Sequence, residues 1–244
     1  MRAFIGALVL LAFAPVRPPE PLPFGPGERF EFTVKLGLLS FGSARMEVVE
    51  PDTVDGHLTW KIRMLVDIGS LIYDANDTLE SWLDPKKLVS RRFEKRFRNS
   101  KQHQNRQFSM HPEDGIYTRA DKDTVYATPL DVLDDVSFLY FVRTLPLEVG
   151  KTYEYYRYYD VRKNPLVVRV LRRETLELPD GTKAPCLVLA PVIGTSGLFK
   201  PKANARLWLT DDARRIPVQI KADIGVGDGT LRLKRMKLAP AAPP

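Results

Sequence analysis

The chain has 244 residues with 44% hydrophobic and 27% charged residues, so it is long enough for a sizeable core and too apolar to be globally disordered. Its formal net charge is +7 at pH 7, and a single cysteine, Cys186, excludes an intrachain disulfide or a thiolate metal cluster. Proline is over-used, at 20 residues, many of them near the two termini.

Arg2 followed by the apolar run Phe4 to Ala14 reads as a signal peptide, with Ala12-Phe13-Ala14 as a cleavage site of small-x-small form. The run is too short to span a bilayer, and no later segment is apolar for long enough, so no transmembrane span is expected once the signal is removed. Residues 1–22 are assigned to the signal peptide and a proline-rich leader, 26–238 to a single β-rich domain, and 239–244 to a loose tail. The protein is expected outside the cytoplasm, in the periplasm or beyond.

Alternation with a period of two runs through most of the chain. In Glu28 to Leu36 the residues Phe30, Phe32, Val34 and Leu36 share one face, which predicts a half-buried strand. Further strands are predicted at Phe41 to Glu50, Leu58 to Val66 after the Asp55-Gly56 turn, Tyr73 to Leu83, Leu88 to Arg98 and Asn105 to Met110. Asp131 to Leu145 changes period: apolar residues recur at steps of three and four, acids open the segment, and Pro146 ends it. This predicts one amphipathic helix packed on the sheet. Strands resume at Lys151 to Tyr159, Leu166 to Leu178, Lys183 to Val192, Ala203 to Thr210, Ile216 to Ile224 and Gly229 to Leu238. The fold class is mainly β: one long, curved antiparallel sheet, an open or partly closed barrel, with a single helix around 131–145.

Several segments in order resemble a known family. They are Arg91-Arg92-Phe93-Glu94-Lys95, Arg143 to Leu147, Glu148-Val149-Gly150, Gly197-Leu198-Phe199, and Trp208 to Asp212 running into Arg215-Ile216-Pro217-Val218. This set is similar to the bacterial domain of unknown function 3108. The resemblance implies an exported, largely β protein and transfers no catalytic residue. At the level of fold alone, a curved sheet with a covering helix is also similar to periplasmic lipoprotein carriers.

The search for chemistry is short. His57, His103 and His111 lack the spacing of a zinc site, no nucleophile elbow or phosphate loop is present, and no metal or cofactor is expected. Two groups are candidate binding residues. Tyr153, Tyr155 and Tyr159 would share one strand face and, with Leu198 and Phe199, could line a groove for an amphipathic ligand. Arg91, Arg92, Lys95, Arg96, Arg98, Lys101 and Arg106, opposed locally by Glu94, form a basic hairpin suited to an anionic surface such as lipid headgroups; nucleic acid is not the expected partner. Three readings stay open: a non-catalytic carrier of a lipid, a structural or interaction protein whose sheet interior is self-filled, and a hydrolase of envelope polymers. A carrier requires an apolar cavity of several hundred Å³; a scaffold requires a filled interior.

Overall fold

The computed structural model describes residues 21–37, 39–69, 74–99, 102–194, 199–223 and 227–240. The expected signal peptide, Lys101 and Leu198 lie outside them. Alternation becomes strand from the start: β1 (Arg29–Leu36) turns Phe30, Phe32 and Val34 into the core and leaves Arg29 outside. β2 (Leu39–Val54) and β3 (His57–Gly69) join through Asp55 and Gly56, both at positive φ, the backbone that a tight hairpin turn demands. β4 (Asp74–Asp84), β5 (Val89–Asn99) and β6 (Gln102–His111) continue the meander. Between β4 and β5 the Asp84 carboxylate accepts from the backbone N–H groups of Lys86 and Lys87, which fixes the turn.

Two short strands that the sequence pattern did not single out follow, β7 (Ile116–Arg119) and β8 (Lys122–Ala127). After the helical segment come β9 (Thr152–Tyr155), β10 (Leu166–Glu177), β11 (Lys183–Val192), β12 (Arg206–Thr210), β13 (Pro217–Asp223) and β14 (Asp228–Lys237). Among the described residues all fourteen form one sheet, in the order β8-β7-β6-β5-β4-β3-β2-β1-β14-β13-β12-β11-β10-β9, and every pairing is antiparallel. The first and last strands pair at the middle of the sheet, and the edge strands β8 and β9 are joined in sequence by residues 128–151. The ladder is therefore not closed, and the connection between its two edges is free to enter the interior.

It does enter. The helix α1 spans only Ser137–Val142, and all six of its residues are buried. This differs from the predicted amphipathic helix over 131–145. The run Ser-Phe-Leu-Tyr-Phe-Val is apolar almost all round, and such a helix belongs inside a core rather than on its surface. Asp131 to Val136 is not helical; Leu133 instead bridges Tyr158 in parallel, and the Ser90 N–H donates to the Val132 carbonyl. One hydrophobic cluster unites the inward faces of β1 to β6 and β10 to β13 with Val132, Leu133, Phe138 to Val142, Leu145 and Leu147. Each large side chain so buried contributes about 1.5–3 kcal/mol. A smaller cluster on the other face gathers Leu178, Cys186, Val188, Trp208 and Val218 beneath the β10–β11 hairpin.

Candidate functional site

The interior segment is fastened by buried polar and charged groups. Asp134 is fully buried; its carboxylate accepts from the hydroxyls of Ser81 on β4 and Ser90 on β5 and from the N–H groups of Val136 and Ser137. Burial pushes its carboxyl above the ordinary range, against the hydrogen bonds of the two serines. Asp135, next in sequence, pairs with Lys95 and accepts from the Tyr158 hydroxyl. Burial works against its charge, but the Lys95 ammonium outweighs it and the carboxyl is held below the usual range. Burial likewise opposes the charge on Lys95, yet Asp135 and Tyr159 hold its pKa above normal. A lysine acting as base or nucleophile needs the opposite shift. This group holds a charge in place.

Further along, Arg143 lies at the exit of α1 with its guanidinium on Glu28, at 2.6 Å and 2.9 Å, and on the carbonyls of Pro23 and Arg214, at 2.9 Å and 3.1 Å. Both partners are about 1% exposed. Arg157 donates to the carbonyls of Asp131 and Leu88 and stacks 4.4 Å from the centre of the Phe141 ring. Sequence reading missed these contacts. The one signal is the pair Asp134-Asp135 ahead of an apolar run, a pattern that in sequence alone looks like helix-dipole stabilisation.

The predicted aromatic groove is distributed differently. Tyr153 and Tyr155 lie on β9, but the strand ends there, and Tyr159 reaches the interior from the following irregular segment. Tyr155 packs edge-on against Phe141, with ring centres 5.0 Å apart. The Tyr153 hydroxyl donates to the Pro146 carbonyl at 2.5 Å. Tyr159 is buried among Phe93, Phe108, Tyr117 and Tyr158. Phe199 is buried against Phe138 at 6.2 Å. These rings pack against the protein itself.

The basic hairpin divides between two faces. Arg91 occupies the bulge that offsets β4 from β5 and is buried on Asp84 and Glu113. Lys95 and its cross-strand neighbour Arg106 point inward, on the same face as Phe93 and Phe108. Arg92, Arg96 and Arg98 point outward: Arg92 lies over Trp82, Arg96 pairs with Glu80, and Arg98 is exposed. On that outer side a recess of about 280 Å³ is lined by Glu31, Arg45, Leu65, Val66, Asp67 and Thr78, among others, and its wall mixes polar and apolar groups. Among the described residues no group of three or more His, Cys, Asp or Glu is placed to hold a metal ion. Among the same residues no helix is long and apolar enough to cross a membrane.

The family described as a protein of unknown function (DUF3108) matches residues 31–234, from within β1 through most of β14. The chain belongs to that family. No curated protein matches this DUF3108 chain. Among solved structures it is similar to a β-barrel-like protein of the domain of unknown function DUF1849 from Brucella abortus, with a TM-score of 0.57 and 10% identity over 87% of this chain and 98% of that one. That likeness extends to the fold alone and agrees with the unclosed, barrel-like sheet. A DUF1089 family protein from Pseudomonas aeruginosa gives a TM-score of 0.37 at 10% identity, covering 89% of this chain and 95% of that one. A hypothetical protein from Chlamydia trachomatis gives 0.31 at 13% identity, covering 91% and 93%.

Proposed function

We propose that this DUF3108 protein is an exported, non-catalytic interaction module of the cell envelope that works through its outer surface, its interior being taken up by its own chain. The observation that supports this reading is the wholly buried α1 together with Leu133, Tyr158 and Tyr159, packed into the concave face of the sheet. A carrier would leave that volume to its cargo. The buried polar contacts that fasten the segment, Asp134 on Ser81 and Ser90 and Arg143 on Glu28, also favour a permanent filling over an opening lid. Export rests on the leader, Arg2 and Phe4 to Ala14.

A second reading keeps a lipid or similar amphipathic ligand. It is favoured by Val66, Ile68, Leu79 and Phe97, which face inward on β3 to β5 and are only partly covered. Native mass spectrometry of the protein purified from its own envelope separates the two. The module reading expects a chain lacking residues 1–14 or a few more, with no lipid attached. A stoichiometric lipid retained in the native spectrum would overturn it in favour of a carrier, and an uncleaved, cytosolic chain would overturn export.

A further inference from the structure

The outer face of β14, β1, β2, β3, β4 and β5 is the side turned away from the core; on it the carboxylates Glu31, Glu47 and Glu80 lie among cations, and Asp67 and Glu94 share the face. Glu80 is held by Lys61 at 3.0 Å, Arg63 at 2.8 Å and Arg96. Glu47 is held by Arg29 at 2.9 Å and Arg63 at 3.5 Å, and Glu31 by Arg45 and Arg235, both at 3.9 Å. Six cations thus surround three carboxylates. The side chains of Glu80 and Glu47 are 3% and 6% exposed, whereas those of Arg29, Arg96 and Arg235 are 49%, 51% and 75% exposed. Glu47 and Glu80 thus lie beneath their partners, while Glu31, at 30%, is as open to solvent as Arg63, at 31%.

The strand register sets these cations in rows. One row crosses the sheet from Arg235 through Glu31, Arg45, Leu65 and Thr78 to Arg96. A parallel row runs from Lys237 through Arg29, Glu47, Arg63 and Glu80 to Glu94. Exposed Lys234 and Arg98 add charge at opposite sides of the array. With strands ~4.8 Å apart, six strands extend over about 24 Å. The cations are therefore spread in two dimensions, not along one line. Such an array fits an extended field of negative charge better than one phosphate or one polymer strand.

We infer that this face docks the protein on a bilayer surface rich in anionic lipid. The inference rests on the module reading above, because it needs the outer face to be the working surface. Each basic side chain close to an anionic surface strengthens binding by about fivefold. The attraction is screened by salt over roughly 8–10 Å at physiological ionic strength.

The test is vesicle co-sedimentation of the processed chain, lacking the leader, with and without anionic phosphatidylglycerol in phosphatidylcholine. The face variant carries Arg45→Gln, Arg98→Gln, Lys234→Gln and Arg235→Gln, which leaves the cations on buried Glu47 and Glu80 untouched. The control carries Lys122→Gln, Lys151→Gln, Lys183→Gln and Lys202→Gln, exposed residues elsewhere with the same change in net charge. Unfolding midpoints check that both variants fold. The expected result is binding to anionic vesicles only, abolished by high salt, reduced at least ~100-fold in the face variant and less than ~5-fold in the control. Equal losses in the two variants, or binding to a soluble polyanion with none to vesicles, would overturn it. A vesicle failure beside a lipid-free native mass spectrum removes the docking surface and leaves the module reading standing. A lipid inside the native protein removes the module reading itself.

Discussion

Removing one partner from the Arg143–Glu28 pair should destabilise the protein far more than removing both. Glu28→Leu takes away the two carboxylate contacts, at 2.6 Å and 2.9 Å, and leaves Arg143 with the carbonyls of Pro23 and Arg214. The guanidinium would then sit among the rings of Phe24, Phe30 and Tyr140, each 5.3–5.4 Å away, with no counter-charge. An orphaned buried charge of this kind costs about 3–5 kcal/mol. At roughly 2–4 °C per kcal/mol for a domain of this size, the midpoint should fall by about 6–20 °C. Arg143→Met alone orphans Glu28 and should cost a similar amount. The double variant replaces both charges by apolar groups and should lose less than either single variant, a coupling of several kcal/mol. Urea unfolding at pH 7, followed by tryptophan fluorescence, measures it; one of the three tryptophans, Trp60, lies 6.0 Å from Phe24 in the same region. Single losses below about 1 kcal/mol, or an additive double variant, would refute the claim that this pair locks the interior segment to the chain entering β1.

Other groups give sharper chemical tests. Asp135 has a lowered carboxyl pKa, so its pair with Lys95 contributes stability above the ordinary carboxylate range and loses it as the pH falls through the lowered value. Lys95→Met should therefore cost about 2–3 kcal/mol at pH 7, and the gap from the parent should narrow below about pH 4 in denaturant titrations. Asp134 is raised by burial, so its ionisation opposes folding: Asp134→Asn should gain on the parent as pH rises from 4 to 7. Asp134→Ala, which orphans two serine hydroxyls and two N–H groups, should lose about 3 kcal/mol or more. Burial lifts the Cys186 thiol to about 11. A thiol reagent at pH 8 should label the native protein at least tenfold more slowly than the urea-unfolded chain.

Local pattern carried the strands where one face is buried and one wet, as in Phe30-Phe32-Val34 and Ile62-Met64. It missed β7 and β8 because short edge strands need little alternation; β8 is exposed at nearly every position. The strand order was not legible. The pairing of β1 with β14 joins residues about 200 positions apart, and nothing local encodes it. The helix was found but misjudged in length. The acids at its start look like a charged first turn, whereas Asp134 and Asp135 are spent on Ser81, Ser90 and Lys95, partners some forty to fifty residues earlier in the chain. The basic hairpin was visible as composition. Its division into inward Lys95 and Arg106 and outward Arg92, Arg96 and Arg98 follows from strand parity, but the bulge at Arg91 shifts that parity and becomes visible only in the sheet. The outer cation array needed register as well, since its members come from β14, β1, β2, β3 and β5.

Hydrogen exchange of the amides in 137–145 and of Tyr159 tests the filled interior most directly. Phe138, Leu139, Arg143 and Tyr159 donate to backbone carbonyls inside the sheet, at 3.0–3.1 Å. The account expects them to exchange only with global unfolding, at the rate of the central strands β1 and β14. Exchange many times faster, with β1 and β14 still protected, would mean that the segment opens as a lid and that the interior belongs to a ligand.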